Sequence, residues 1–225
     1  GPEGQGVMRI FGFHGIDGRL DGVVVDPAVD GIRMNVTGLS FEAEVFEEPL
    51  RVRDFDGRVA WSGGRISIEA ETVNLLGGTA SGLAEVELVE GGVPDLTVDA
   101  VLEAMDLSEL QWLDPRVPDA RASGRVAVEF GPQGLRASWS GARIAIGGGD
   151  IEADGALSRA SGGEMAIEDV TLDVSAVPVA VLKEFISVAL SSEGRLYGNI
   201  DLSGAMDSVT VAGRMNLLEL GASAT

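Results

Sequence analysis

The chain has 225 residues, and its 36 acidic against 16 basic side chains give a formal net charge of −20. This charge disfavours nucleic-acid binding, which depends on neutralising phosphates, and it disfavours attachment to an anionic membrane through a basic patch. The absence of cysteine excludes disulfides, thiolate metal sites and cysteine nucleophiles. Gly1 and Pro2 are typical of the remnant of a cleaved tag, so residues 3–225 are expected to be a segment of a longer protein.

Apolar and polar residues alternate along most of the chain, which is typical of strands with one apolar and one polar face. The clearest runs are 39–45, 66–70, 96–100, 125–130 and 196–202, and further candidates are 7–13, 19–25, 50–61, 83–89, 135–146, 151–157, 165–174 and 208–217. Glycine pairs such as Gly63-Gly64 and Gly91-Gly92 separate these runs as hairpin turns would. Twelve or more strands in succession predict an antiparallel meander.

Two short helices are expected between the strands. The first begins at Asp106 and ends before Pro115, and the second covers 179–190, where apolar residues recur at helical spacing. The second helix either caps one end of the sheet or packs on it, and packing is favoured. Because a similar glycine-led strand follows each helix, we expect a single elongated segment of loosely repeated units at 15–105, 106–175 and 176–225.

A sheet that is polar on one face must bury its other face. The apolar positions here are mainly aliphatic, whereas aromatic residues make up only 5% of the chain, which favours a smooth wall over a bulky sandwich core. Long twisted sheets curl, and glycines within strands permit sharp bends. The predicted fold class is therefore all-β: a long antiparallel meander curled into an open groove (a β-taco or half-pipe) with one or two short helices. An ordinary sandwich core explains the alternation equally well.

The expected partner of such a groove is the acyl chains of phospholipids. Each buried methylene contributes about 0.8 kcal/mol, so exposing a chain of ~15 methylenes to water costs roughly 12 kcal/mol. The expected lining residues are Leu39, Phe41, Val45, Val59, Trp61, Ile66, Ile68, Val86, Leu88, Leu96, Val98, Val126, Val128, Phe130, Leu196, Ile200, Leu202, Val209 and Val211.

Catalytic chemistry is not expected. His14 is the single histidine, which argues against a His-based metal site or a Ser–His–Asp triad, and no phosphate-binding glycine motif occurs. The acidic pair Asp54/Asp56 and the acidic run 150–154 could bind calcium, but their spacing favours the solvent face of a strand. Trp61, Trp112 and Trp139 could stack on sugars, although the strand pattern favours an apolar-face role for Trp61 and Trp139. We therefore expect no enzyme activity, metal or cofactor.

Three stretches resemble a known family. They are 46–61, with Phe46, Pro49-Leu50 and Gly57 to Trp61; 76–82, with Gly77-Gly78 and Gly82; and 194–204, followed by Val209, Val211 and Gly213. This order of motifs is similar to the AsmA-like superfamily of Gram-negative envelope proteins, of the YhdP and TamB type. The resemblance implies a β-groove segment in the periplasm, within a parent protein anchored in the inner membrane, that transports phospholipid between the inner and outer membranes.

Two other interpretations remain open. The chain could be a structural β-sandwich or a β-solenoid interaction module of the cell envelope that binds no lipid, although a solenoid would show a repeat of about 20–30 residues. For the groove, both terminal strands are expected to pair with the rest of the parent chain. Isolated molecules are then expected to associate end to end, since exposed strand edges pair readily.

Overall fold

The computed structural model describes residues 11–26, 31–45, 48–112, 115, 117–183 and 194–218. The chain divides into two compact units, Gly1–Met105 and Asp106–Thr225. The expected boundary at 105/106 coincides with this division, whereas the expected boundary at 175/176 falls inside a strand of the second unit.

The first unit is an antiparallel meander in which each strand pairs with the next along the chain. Its strands are β1 Phe11–Asp26, β2 Gly31–Val45, β3 Glu48–Ser62, β4 Arg65–Leu75, β5 Gly78–Glu87 and β6 Asp95–Asp106. The runs 7–13 and 19–25 were expected to be separate strands. Instead β1 is one continuous strand from Phe11. The residues between the two runs interrupt the alternation, and the pairing of β1 with β2 shifts register twice there, between His14 and Arg19. Residues 7–10 lie outside the described residues.

The second unit repeats this arrangement. Its strands are β7 Arg121–Gly131, β8 Gly134–Ile146, β9 Gly149–Ala160, β10 Met165–Pro178, β11 Arg195–Ala205 and β12 Thr210–Leu218. Consecutive strands again pair antiparallel. In neither unit do the described residues pair the last strand with the first, so neither meander closes on itself. The prediction of an all-β, open antiparallel meander with short helices is confirmed.

Both helical predictions correspond to short elements. Leu107–Leu110 forms a 3₁₀ helix, and the Asp106 carboxylate caps it by accepting hydrogen bonds from the Ser108 amide at 3.0 Å and from the Ser108 hydroxyl at 2.6 Å. The helix α1 covers Val179–Lys183, and residues 184–190 of the second predicted helix lie outside the described residues.

Several strands contain an extra residue in a left-handed conformation. Such residues are Gly38 in β2, Asp54 in β3, Gly141 in β8, and Asp169 and Ala176 in β10. Each lies at a register shift with a neighbouring strand, which identifies it as part of a β-bulge. In a regular strand, side chains that are an even number of residues apart point to the same face. The extra residue of a bulge reverses this alternation, so residues on its two sides that are an odd number apart point to the same face.

Candidate apolar binding face

In the first unit, directly paired residues form rows of apolar side chains across β2 to β6. One row contains Ile32, Trp61, Ile66, Val86 and Leu96, and the next contains Met34, Val59, Ile68, Ala84 and Val98. Opposite residues in antiparallel strands share a face. The rows therefore form one continuous apolar surface within this unit.

The second unit has the same organisation across β7 to β12. Its rows include Ala122, Ile144, Ile151, Val174, Gly198 and Met215; Ala142, Ala153, Leu172, Ile200 and Gly213; and Val170, Leu202 and Val211. Val126 lies opposite Trp139, and Phe130 lies opposite Leu135, on the same face. The Trp139 placement agrees with the expected apolar-face role.

These apolar surfaces are only partly covered by the chain. In the first unit, Val36, Phe55, Ala80 and Met105 are buried, whereas most residues of the two rows are half-buried and Trp61 is 53% exposed. In the second unit Phe130 is 41% exposed and Val211 is 66% exposed. A sandwich core would bury such side chains against a second sheet, and among the described residues of each unit no such second layer is present.

One end of the second unit is filled by its own side chains. Val177 and Val179 are fully buried there, in a cluster with Ala120, Ile146, Val174 and Leu196; Leu107 and Val181 pack against it. The cluster extends across this end of the unit, from Ala120, next to β7, to Leu196 of β11, and Val181 of α1 packs against it.

Hydrogen bonds to backbone carbonyl groups connect the strands at the same end of the unit. The Val179 amide donates to the Gly194 carbonyl oxygen at 3.1 Å. The Arg195 guanidinium donates to the carbonyl oxygens of Ala176 at 2.6 Å and of Gly148 at 3.0 Å. These contacts join the start of β11 to the end of β10 and to the β8–β9 turn. The interpretation of the 179–190 segment as packed on the sheet therefore agrees with the positions of Val179 and Val181.

The opposite face of each unit is polar and carries cross-strand ion pairs. The pairs are Arg51–Glu42 at 2.9 Å, Arg58–Glu69 at 3.2 Å, Arg65–Glu87 at 2.9 Å, Arg136–Glu168 at 3.1 Å, and Arg143–Glu152. The Ser158 hydroxyl and the Arg136 guanidinium hold the pKa of Glu168 below its usual value. All the paired side chains are substantially exposed, so each pair contributes little to stability. Their position identifies which face meets solvent.

Four of the five acidic residues considered as calcium ligands have structural partners. Asp54 accepts a hydrogen bond from the Asn74 side chain at 2.9 Å, and Glu152 pairs with Arg143. Asp56 and Asp154 each accept a backbone N–H from the preceding strand. Among the described residues, no group of three or more potential metal ligands is found.

Sixteen of the expected lining residues lie on the apolar face: Leu39, Phe41, Val59, Trp61, Ile66, Ile68, Val86, Leu96, Val98, Val126, Val128, Phe130, Leu196, Ile200, Leu202 and Val211. Leu88 follows β5 and Val209 precedes β12, so both lie at strand ends. Val45 belongs to β2, but its side chain is outside the described residues, as is that of His14 in β1. Leu196 differs from the others because it belongs to the packed cluster. Trp112 is half-buried just after the 3₁₀ helix, away from the strands.

The sequence reasoning missed several residues of this face. Met34 in β2, and Ile151, Leu172 and Val174 in the second unit, lie in these rows, and Val36 lies in the next row of the first unit, opposite Gly57. Alternation within each strand was visible for most of them. The alignment of neighbouring strands was not, because the bulges at Asp54, Asp169 and Ala176 reverse the alternation at residues that do not differ from ordinary strand residues.

Two shallow depressions lie on the first unit. The larger has a volume of about 470 Å³ and is bordered by Trp61, Arg65 and Glu87, among others. The smaller, of about 340 Å³, is bordered by Phe41, Arg51 and Val52, among others. Both combine charged and apolar side chains and are open to solvent, so the extended apolar faces are the stronger candidate sites.

Helices in the described part of the chain are all too short or too polar to cross a membrane. A scan of protein-family models, a search of curated proteins and a search of solved structures found no match to this chain. The candidate site therefore rests on its own geometry: two antiparallel meanders of six strands, each with a partly exposed apolar face opposite a charged one.

Proposed function

We propose that the apolar face of each unit binds the acyl chains of phospholipids, and that the chain is a lipid-binding segment of a transport protein without catalytic activity. The observation that supports this most directly is the exposure of the apolar rows on an open sheet. Water against such a surface is unfavourable, and each methylene that replaces it contributes about 0.8 kcal/mol. The charged opposite face keeps the protein in solution.

The chemistry of the face fits a hydrocarbon ligand. Apart from Trp61, Met34 and Met215, the rows contain aliphatic side chains and small residues. No polar or charged side chain is buried among the described residues. A ligand with many hydrogen-bonding groups would find no partners along these rows. Acyl chains need none, and the headgroup can remain in water at the open side of the sheet.

The resemblance to AsmA-like envelope proteins adds the proposed setting. In that setting the segment lies in the periplasm, belongs to a parent protein anchored in the inner membrane, and carries phospholipid between the two membranes. This part of the proposal depends on the motif likeness in 46–61, 76–82 and 194–204, and on the fold class.

Mass spectrometry of organic extracts tests the proposal directly. The purified protein is expected to retain phospholipid, and Ile200→Asp should reduce it more than tenfold because a carboxylate on this face must be desolvated. The matched control is Asn199→Asp, which adds the same charge on the opposite face of β11. Ile68→Asp and Ser67→Asp form the equivalent pair in the first unit.

Two results would contradict the proposal. Equal loss from Ile200→Asp and Asn199→Asp would mean that the apolar face is not the binding surface. Absence of lipid from the unsubstituted protein, even after incubation with phosphatidylethanolamine vesicles, would favour a lipid-free interaction module of the envelope.

A further inference from the structure

The same bulge occurs at matching places in the two units. In β2, Gly38 has a φ of 62°, and the register with β3 shifts between Val36 and Leu39. In β8, Gly141 has a φ of 56°, and the register with β9 shifts between Trp139 and Ala142. Both bulges lie in the first strand of a hairpin, and the residue before the glycine is Thr37 in one and Ser140 in the other.

An aspartate on the second strand holds each bulge. The Gly38 amide donates to Asp56 Oδ1 at 2.7 Å, and the Gly141 amide donates to Asp154 Oδ1 at 2.7 Å. A glycine follows each aspartate, and at Gly57 and Gly155 a Cβ atom would overlap atoms of the next strand. The two sites therefore share the bulge, the acceptor and the small residue beside it.

The likeness continues along the chain. After each Asp-Gly, the next hairpin arm begins with a similar run, Ile66-Ser67-Ile68-Glu69 in β4 and Met165-Ala166-Ile167-Glu168 in β10. The following strands, β5 and β11, each contain a mid-strand glycine with a φ of 150°, Gly82 and Gly198, and glycines in β7, β9 and β12 have similar φ angles. The order of features is thus the same from β2 to β5 as from β8 to β11.

We infer that the chain is a tandem duplication of one six-strand module, β1–β6 and β7–β12, and that Asp56 and Asp154 are the register-positioning residues of the two copies. This inference does not depend on lipid binding. Val36 and Leu39 are three positions apart, as are Trp139 and Ala142, so in a regular strand each pair would point to opposite faces. The bulge returns both members to the apolar face, and the aspartate holds the bulge open.

Disulfide trapping tests this inference, because the chain contains no cysteine of its own. Cysteines at Arg33 and Ala60, directly opposite in β2 and β3, report the register of the first module. Cysteines at Ser138 and Ala156 do the same for β8 and β9 in the second. Opposite residues lie about 4.5–5.5 Å apart between Cα atoms, within the range for a disulfide, whereas a one-residue slip places them on opposite faces.

Asp56→Ala should reduce trapping of the Arg33/Ala60 cysteine pair about tenfold, because the bulge amide loses a charged acceptor. Asp56→Asn keeps an acceptor oxygen and should restore trapping. The Ser138/Ala156 pair is the internal control and should be unaffected by either change. Asp154→Ala should give the reciprocal pattern.

Two outcomes would overturn the inference. Unchanged trapping of the Arg33/Ala60 cysteine pair in the Asp56→Ala variant would mean that the carboxylate does not position the register. Loss of both cysteine pairs from a single aspartate variant would mean that the aspartate supports general stability, so that the two copies do not act as equivalent modules.

Discussion

The packed end and the open end of the second unit should respond differently to the same substitution. Leu196 and Leu202 both lie on the apolar face of β11. Leu196 is 4% exposed within the packed cluster, whereas Leu202 is half-buried in a row with Val170 and Val211. Leu→Ala at each position removes the same three carbon atoms from the same strand, so any difference between the variants reports the local packing.

The expected magnitudes follow from burial. Removing three buried carbons costs about 2.4 kcal/mol in transfer free energy, and the remaining cavity raises the loss for Leu196→Ala to about 3 kcal/mol. Leu202→Ala removes a side chain that is partly in water and leaves no enclosed cavity, so its loss should be about 1 kcal/mol. With a urea m-value of about 2 kcal/mol/M, the midpoints should fall by about 1.5 M and 0.5 M.

Urea unfolding followed by circular dichroism measures both midpoints on lipid-free protein. Extraction with organic solvent measures how much lipid each variant binds. Leu202→Ala should reduce bound lipid more than Leu196→Ala, which is the reverse of the order for stability. Equal destabilisation by the two substitutions would refute the distinction between a packed and an open end, because it would mean that Leu202 is as fully packed as Leu196.

Three further predictions concern the backbone, the helix cap and the sheet edge. Gly198→Ala should destabilise the protein by about 3 kcal/mol in thermal unfolding, because a Cβ atom there would overlap the neighbouring strand and because the φ of 150° is unfavourable for alanine. The control is Gly163→Ala, at a glycine without a positive φ, and it should reduce the free energy of unfolding by less than about 1 kcal/mol. Hydrogen bonds from the Ser108 hydroxyl and amide lower the pKa of Asp106 from its usual value, so the cap stabilises the fold at neutral pH and this stabilisation is lost as the carboxylate protonates. The difference in unfolding free energy between the unsubstituted protein and Asp106→Ala, measured in urea, should therefore be smaller at pH 3 than at pH 7. An equal difference at the two pH values would contradict this cause. Among the described residues, β12 pairs with a neighbouring strand on one side only. Light scattering should therefore show that the protein associates and that association increases with salt, which screens the charge repulsion, whereas Val211→Lys should suppress association because charged residues on edge strands oppose pairing. A monomer at high salt would mean that this edge is covered.

The sequence by itself determined the class of fold and most of the strands. Alternation with period two identified the strand faces, and glycine pairs identified turns, because both are local properties of the backbone. For this reason Ile66 and Ile68, and likewise Leu96 and Val98, could each be assigned to the apolar face of their own strand before any pairing was known. The capped start of the 3₁₀ helix at Asp106 was also visible, since its acceptor and donors lie within three residues.

Only the tertiary structure decided how the faces of neighbouring strands are aligned. It also decided which part of the apolar face is covered by the chain's own side chains. Asp54, Asp169 and Ala176 adopt left-handed conformations that ordinary residues disfavour by about 1–2 kcal/mol, and pairing with neighbouring strands offsets this cost. Such bulges depend on contacts between distant residues, so no local pattern marks them. The packing of Val179 and Leu196 into one cluster depends equally on tertiary contacts, because it joins α1 to β11.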